Sequence, residues 1–65
     1  MEDNGWISKV FKGDIYFADF FKARDFGQDN GKGFPGWRVV HYGHGFAVQI
    51  ADSVYLGPDG KPNNG

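Results

Sequence analysis

The sequence has no cysteine, a single methionine and a single leucine, and no apolar run near the ~20 residues that a membrane-spanning helix needs. The absence of cysteine excludes a disulfide scaffold and a zinc module with cysteine ligands. A chain of 65 residues has room for one hydrophobic core, so we expect a single small domain over residues 1–65. The first residues are acidic and polar, unlike a secretory signal, and we therefore expect a cytoplasmic protein with no membrane partner.

The chain also lacks an excess of either charge, since seven Lys and Arg residues oppose eight Asp and Glu residues. A formal net charge of -1 argues against binding driven mainly by phosphate contacts. Aromatic residues are abundant by contrast: seven Phe, three Tyr and two Trp stand beside eleven Gly. Because the chain has so few leucine, isoleucine and valine residues, we expect aromatic side chains to form much of the core.

The first half of the chain contains one clear pattern and one ambiguous pattern. Residues 6–12 are rich in β-prone residues and predict a strand that ends before Gly13. Residues 15–26 predict an amphipathic helix, with Asp14 as its N-cap and Gly27 just after its end. The apolar side of that helix comprises Tyr16, Phe17, Phe20, Phe21 and Ala23. The alternative is a hairpin that turns at Lys12-Gly13, which would make the protein all-β.

Residues 36–51 predict an antiparallel hairpin, because two β-prone runs flank a Gly-His-Gly turn. A type II′ turn at Gly43-His44 pairs His41 with Phe46, Val39 with Val48 and Trp37 with Ile50, and these six residues share the core face. The alternative is a loop at His44-Gly45, which shifts the pairing by two residues and keeps the same faces. The other face, which we expect to be partly solvated, carries Arg38, Val40, Tyr42, Ala47 and Gln49. A short third strand is expected over residues 54–56, followed by a turn at 57–60. Residues 57–65 are expected to be a flexible tail.

These elements predict an α+β fold: an N-terminal strand, one short helix, and a C-terminal antiparallel hairpin or meander. The phenylalanine side of the helix is expected to pack on the core face of the hairpin. The alternative fold is all-β, a small barrel of the SH3 or OB type.

No pattern in the sequence predicts catalysis, a metal or a cofactor. His41 and His44 are too few for a zinc site, and the serines have no recognisable nucleophile motif. Residues 31–36 match G-x-G-x-x-G literally, but they lead into a strand, whereas the dinucleotide motif opens a helix. We therefore expect a protein that is not an enzyme and that needs no cofactor.

The excess of aromatic residues indicates a binding protein. Phe34 lies in the glycine-rich loop 27–36, where no periodicity assigns it to the core, so it is a natural anchor for a partner pocket or a lid over the hairpin. The candidate partner-binding residues are Trp6, Lys32, Phe34, Trp37, Arg38 and Tyr42. In size and composition the chain resembles the accessory proteins of bacteriophages that bind and inhibit host proteins. We therefore expect contact with a larger protein.

Two alternative functions remain open at this stage. Aromatic and basic residues alternate along the first predicted strand, a pattern typical of single-stranded nucleic-acid binding by base stacking. Residues 14–17 and 31–34 resemble two strands of the cold-shock family, although in reverse order along the chain. The other alternative is a structural subunit that forms a homo-oligomer through an edge strand.

Overall fold

The computed structural model describes residues 5–63 and shows six short strands and one helix over that range. The elements are β1 (Ser8–Phe11), β2 (Asp14–Phe17), α1 (Phe20–Asn30), β3 (Arg38–Tyr42), β4 (Gly45–Ala51), β5 (Val54–Leu56) and β6 (Pro62–Asn63). Every strand pair is antiparallel. A small, strand-rich domain with one short helix is therefore confirmed, and it combines features of both predicted fold classes. Over these residues, no helix is long and apolar enough to cross a membrane.

Strand β4 is the centre of the sheet, because it pairs with three neighbours. β3 runs along one edge of β4, while β2 and β5 share the other edge, at its beginning and its end respectively. The sheet curls into a half-barrel that brings β6 close to the β1–β2 turn. There the Asn63 side chain donates hydrogen bonds to the Lys12 carbonyl (2.9 Å) and to Asp14 Oδ1 (2.6 Å).

The first part of the ambiguous segment is a strand, so the helix predicted over residues 15–26 is wrong for 15–17. The β1–β2 hairpin turns at Lys12-Gly13, as the alternative interpretation proposed. Both turn residues have positive φ, 53° at Lys12 and 88° at Gly13, as a type I′ turn requires. Within β2 the buried Ile15 and Phe17 alternate with more exposed neighbours, so the real period there is two rather than 3.6.

The helix lies later in the chain than predicted, at both ends. Its N-cap is Asp19 rather than Asp14, since the Asp19 carboxylate accepts a hydrogen bond of 2.9 Å from the Phe21 backbone N–H. The helix continues through Gly27 and ends at Asn30, with Gly31 as its C-cap. A Cβ at Gly27 would lie 2.5 Å from Cζ3 of Trp37, and one at Gly31 would lie 2.8 Å from its Cδ1. The two glycines therefore let the helix approach the indole closely.

The core lies between α1 and the face of the sheet that it covers. Ile15, Phe17 and Ala23 are buried there, with Phe26, Val39 and Phe46 packed around them. The prediction of a buried Phe17 is confirmed. The prediction that Phe20 and Phe21 belong to the core is wrong, because these side chains are 42% and 65% exposed. They occupy the first turn of the helix, whose buried face is formed by Ala23 and Gly27.

The C-terminal hairpin confirms most of the predicted pairing. His41 pairs with Phe46 and Val39 with Val48, and the turn has positive φ at Gly43, the first central residue of a type II′ turn. The predicted pairing of Trp37 with Ile50 is not formed, since the register ends at Arg38 and Gln49. The burial predicted for two residues is also wrong: His41 is exposed, and Ala47, at the centre of the sheet, is fully buried. The third strand, β5, lies where it was expected. Residues 57–65 were expected to be a flexible tail, but residues 57–63 form a turn and strand β6, which pairs with β5. Residues 64–65 lie outside the described residues.

Candidate binding site

Five aromatic side chains meet on the sheet face opposite α1. The Trp6 ring contacts Tyr16 (centroids 5.5 Å apart), Tyr16 contacts Tyr42 (5.2 Å), Tyr42 contacts Tyr55 (5.2 Å), and Phe11 contacts Tyr42 (6.5 Å). We call these five residues the aromatic face. The strand register explains this cluster. Tyr16 of β2 pairs with Ala47 of β4, and Ala47 also pairs with Val40 of β3. Tyr42 lies two residues after Val40, so Tyr16 and Tyr42 are on the same face of the sheet.

The aromatic face contains an open depression of about 430 Å³. It is lined by Phe11, Tyr16, Tyr42, Gly43 and His44. The Phe11 side chain is 54% exposed, whereas Tyr16 and Tyr42 are half-buried. The depression is therefore lined by one exposed ring and two half-buried rings.

A hydrogen bond fixes the ring at the centre of this face. The Tyr42 hydroxyl donates to Asp14 Oδ2 over 2.7 Å, and Asp14 Oδ1 accepts from the Asn63 side chain. Partial burial, this hydrogen bond and the negative charge of Asp14 raise the pKa of Tyr42 to about 12. Tyr42 therefore keeps its proton at neutral pH and remains a donor to Asp14.

Basic side chains lie along one margin of the aromatic face. Lys9 Nζ is 4.9 Å from the centroid of the Trp6 ring, and Lys12 Nζ is 5.4 Å from that of Phe11. Arg38 shares the face from β3 and donates through Nε to Gln49 Oε1 over 3.3 Å. Arg38 also lines a small hollow together with Asp52. The end of the aromatic face next to Lys9 and Lys12 is thus more positive than the end next to Arg38.

A second surface lies near the start of α1, and it is apolar. Phe20 contacts both Phe21 (5.5 Å) and Phe46 (5.7 Å) edge to face, and Ile7 is 61% exposed beside them. We call Ile7, Phe20, Phe21 and Phe46 the apolar patch. A hollow of about 600 Å³ is lined by Ile7, Phe20 and Phe46, with Trp6, Asp19 and Lys22 also on its wall. Trp6 therefore borders both surfaces.

The structure divides the six predicted partner-binding residues into two groups. Trp6 and Tyr42 belong to the aromatic face, and Arg38 lies at its far end. The other three, Lys32, Phe34 and Trp37, lie in or next to the loop that follows α1.

Within that second group, Trp37 packs on the helix glycines rather than facing solvent. Phe34 is half-buried in a pair of tight turns, in which its N–H donates to the Gly31 carbonyl and its carbonyl accepts from the Trp37 N–H. The loop anchor is therefore not assembled with the sheet residues.

The sequence pattern predicts that Tyr16 and Phe20 form one ridge of the helix, whereas the structure places Tyr16 in the aromatic face and Phe20 in the apolar patch. Phe20 and Phe21 were assigned to the core because the helix was drawn too early in the chain. Asp19 is the signal that could have corrected this, since an aspartate directly before an aromatic pair is a good N-cap. For Tyr16, the signal was the alternation of residues 14–17 after a glycine turn.

The histidines do not form a metal site with acidic neighbours: within residues 5–63, no three His, Asp or Glu side chains lie close enough together to hold an ion. His41 packs against Phe46 at 4.9 Å on the helix side, while His44 lines the depression.

Comparison of the chain with protein-family models, with curated proteins and with solved structures finds no match. The geometry of the two surfaces is therefore what supports a function.

Proposed function

We propose that the protein is a non-enzymatic binding protein that acts by contact with a larger protein, and that the apolar patch makes this contact. The observation that carries the proposal is the exposure of Phe21, which stands 65% exposed beside the ring of Phe20 at the start of α1. Exposed apolar clusters are sites where association removes unfavourable hydrated surface. Aromatic anchors of this kind commonly provide most of the binding energy of an interface.

The charge around the patch favours a protein partner over a polyanion. Asp19 and Lys22 border the hollow with one charge of each sign, and the Asp19 carboxylate already caps the helix. An apolar centre with a polar rim and no excess of positive charge is the usual composition of a protein interface. An apolar side chain of the partner would fill the hollow beside Phe20. Inhibition, as in phage-type accessory proteins, would follow from covering the partner's surface.

Self-association through an edge strand is the weaker candidate. Among the described strands β1 pairs with β2 alone, so its other edge is open to a further strand. Lys9 lies on this edge strand and Lys12 lies in the turn that follows it, and lysines at an edge strand oppose pairing with a second copy. The lysines at this edge therefore favour an unlike partner over a second copy.

The experiment compares two exposed phenylalanines, Phe21 in the patch and Phe11 outside it. Tagged wild type, Phe21→Ala and Phe11→Ala are each incubated with host lysate, and retained proteins are quantified by mass spectrometry. Both substitutions should leave the fold intact, since each side chain is more than half exposed. Loss of an aromatic anchor costs about 2 kcal/mol or more, which is roughly a 30-fold change in Kd.

We expect one dominant protein to be retained by wild type and by Phe11→Ala but not by Phe21→Ala. The Kd of the purified pair should then show the same order. Equal retention by all three proteins would contradict the proposal. A sedimentation mass that rises with concentration, and that falls in Phe21→Ala, would instead assign the patch to self-association.

A further inference from the structure

The aromatic face is a second surface, and the protein contact proposed above does not use it. Because α1 packs on the opposite side of the sheet, the face is not covered by the helix. The curl of the half-barrel brings β6 to its margin, where Asn63 is bonded to Asp14. The rings of the face are therefore held together by the sheet and remain open on one side.

The depression on this face has the shape and lining that suit a flat, aromatic ligand. Its volume of about 430 Å³ lies within the ≈ 300–1,000 Å³ of ordinary small-ligand pockets. Its wall is made largely of the Phe11, Tyr16 and Tyr42 rings, on which planar bases stack. The bond from the Tyr42 hydroxyl to Asp14 holds that ring in place before binding, which lowers the entropic cost of association.

The charges around the depression complement an anion next to the stacked base. The Lys9 and Lys12 ammonium groups lie over Trp6 and Phe11, at the same margin of the face. Asp14 of β2 is the acidic residue near the depression. Its Oδ2 accepts a hydrogen bond from the Tyr42 hydroxyl, and its Oδ1 accepts one from the Asn63 side chain. Aromatic rings with adjacent cations match a single-stranded nucleic acid, in which bases alternate with phosphates.

We propose that the aromatic face binds single-stranded nucleic acid, with a base in the depression and the flanking phosphates at Lys9 and Lys12. A duplex does not fit this mode, because its bases are stacked inside and do not reach the rings. The chain as a whole has a net charge of -1, so repulsion of the polyanion keeps the interaction weak. Binding is therefore strongest at low salt and decreases as salt is added.

The test is fluorescence anisotropy with a labelled oligothymidine of about 12 nucleotides, a length within the site size of such platforms. Oligouridine of the same length tests RNA, and a duplex of the same length tests the requirement for single strands. Two phosphate contacts predict a slope of about -1.4 for log K against log salt, and Lys9→Ala should reduce its magnitude by about 0.7. Phe11→Ala should weaken binding about 5- to 160-fold, since stacking contributes ≈ 1–3 kcal/mol per base.

The matched controls are Phe21→Ala and Lys22→Ala, which remove a ring and a cation from the other surface and should bind the oligonucleotide like wild type. Binding of either single strand supports the proposal, and the preferred strand shows whether the DNA or the RNA oligonucleotide is the better ligand. No rise in anisotropy at low salt, equal binding of the duplex, or an unchanged affinity in Phe11→Ala would overturn it. So would loss of a protein partner in Phe11→Ala without any oligonucleotide binding. The proposed protein contact fails separately, through Phe21.

Discussion

The contact between helix and indole offers the sharpest test of how this fold is held together. Gly27 lies inside α1, where alanine is normally favoured over glycine by about 1 kcal/mol. On helix propensity alone, Gly27→Ala should therefore stabilise the protein. The packing argues the opposite, because the new Cβ would lie 2.5 Å from Cζ3 and 2.7 Å from Cε3 of Trp37.

The magnitude follows from comparing the two effects. Both distances are well below normal contact, and the obstructing atoms belong to a rigid ring rather than to the end of a flexible chain. Overfilling a packed site costs about 1–3 kcal/mol. Two contacts this short to a rigid ring place the cost in the upper part of that range, at about 2–3 kcal/mol. Subtracting the gain of about 1 kcal/mol in helix propensity leaves a net loss of about 1–2 kcal/mol in the free energy of unfolding. For a domain of this size that lowers Tm by about 5–15 °C.

The assay is urea and thermal unfolding followed by far-ultraviolet circular dichroism, which does not depend on tryptophan fluorescence. Gly33→Ala is the matched control, because a Cβ at Gly33 meets nothing within 4 Å, so this variant should be as stable as wild type or slightly more stable. In a Trp37→Leu background the ring is absent, and Gly27→Ala should no longer destabilise the protein. A Gly27→Ala protein as stable as wild type would refute the reasoning.

Two further predictions concern the turns and the ionisation of the sheet. Lys12 has a φ of 53° in a type I′ turn, a conformation that asparagine adopts more readily. Lys12→Asn should therefore raise the free energy of unfolding by about 0.5–1 kcal/mol, measured by urea unfolding. Lys61→Asn makes the same change of charge outside this turn and should not raise it. The pKa of Tyr42 is raised to about 12, so folding favours the protonated phenol. Its contribution is complete below about pH 10 and is lost as the pH rises towards 12. Wild type should therefore lose stability over that window, measured by unfolding at each pH, and Tyr42→Phe should lose less; parallel curves would contradict the assignment.

Local pattern was sufficient where a segment has one period and a clear turn. The β3–β4 hairpin is an example, since alternation around Gly43-His44 predicts its register and which residues share a face. Alternation does not predict the burial of every residue, because His41 is exposed and Ala47 is fully buried. The local pattern gave the wrong secondary structure for the first part of residues 15–26. Apolar residues are frequent both in strand β2 and in the first turn of α1, so the two elements look like one helix. There the segment changes from a period of two to a helical period between Phe17 and Phe20.

The candidate surfaces were harder to predict than the strands. Of the predicted partner-binding residues, Trp6 and Tyr42 both contact Tyr16, whereas Lys32 and Phe34 lie in the loop after α1. The sequence groups them only because all four are aromatic or basic. Whether such residues meet depends on how strands distant in sequence align. Tyr16 and Tyr42, for example, come from β2 and β3, which are joined only through β4.

The sequence by itself determined that the chain forms a small strand-rich domain without disulfides, with a C-terminal hairpin whose faces follow from alternation. Tertiary structure decided where the helix begins, which phenylalanines are exposed, and which aromatic rings meet. The physical reason is that alternation and capping are local properties of a few residues. The exposure of Phe21 and the contacts of Tyr42 depend instead on how the sheet curls and on which of its faces α1 covers.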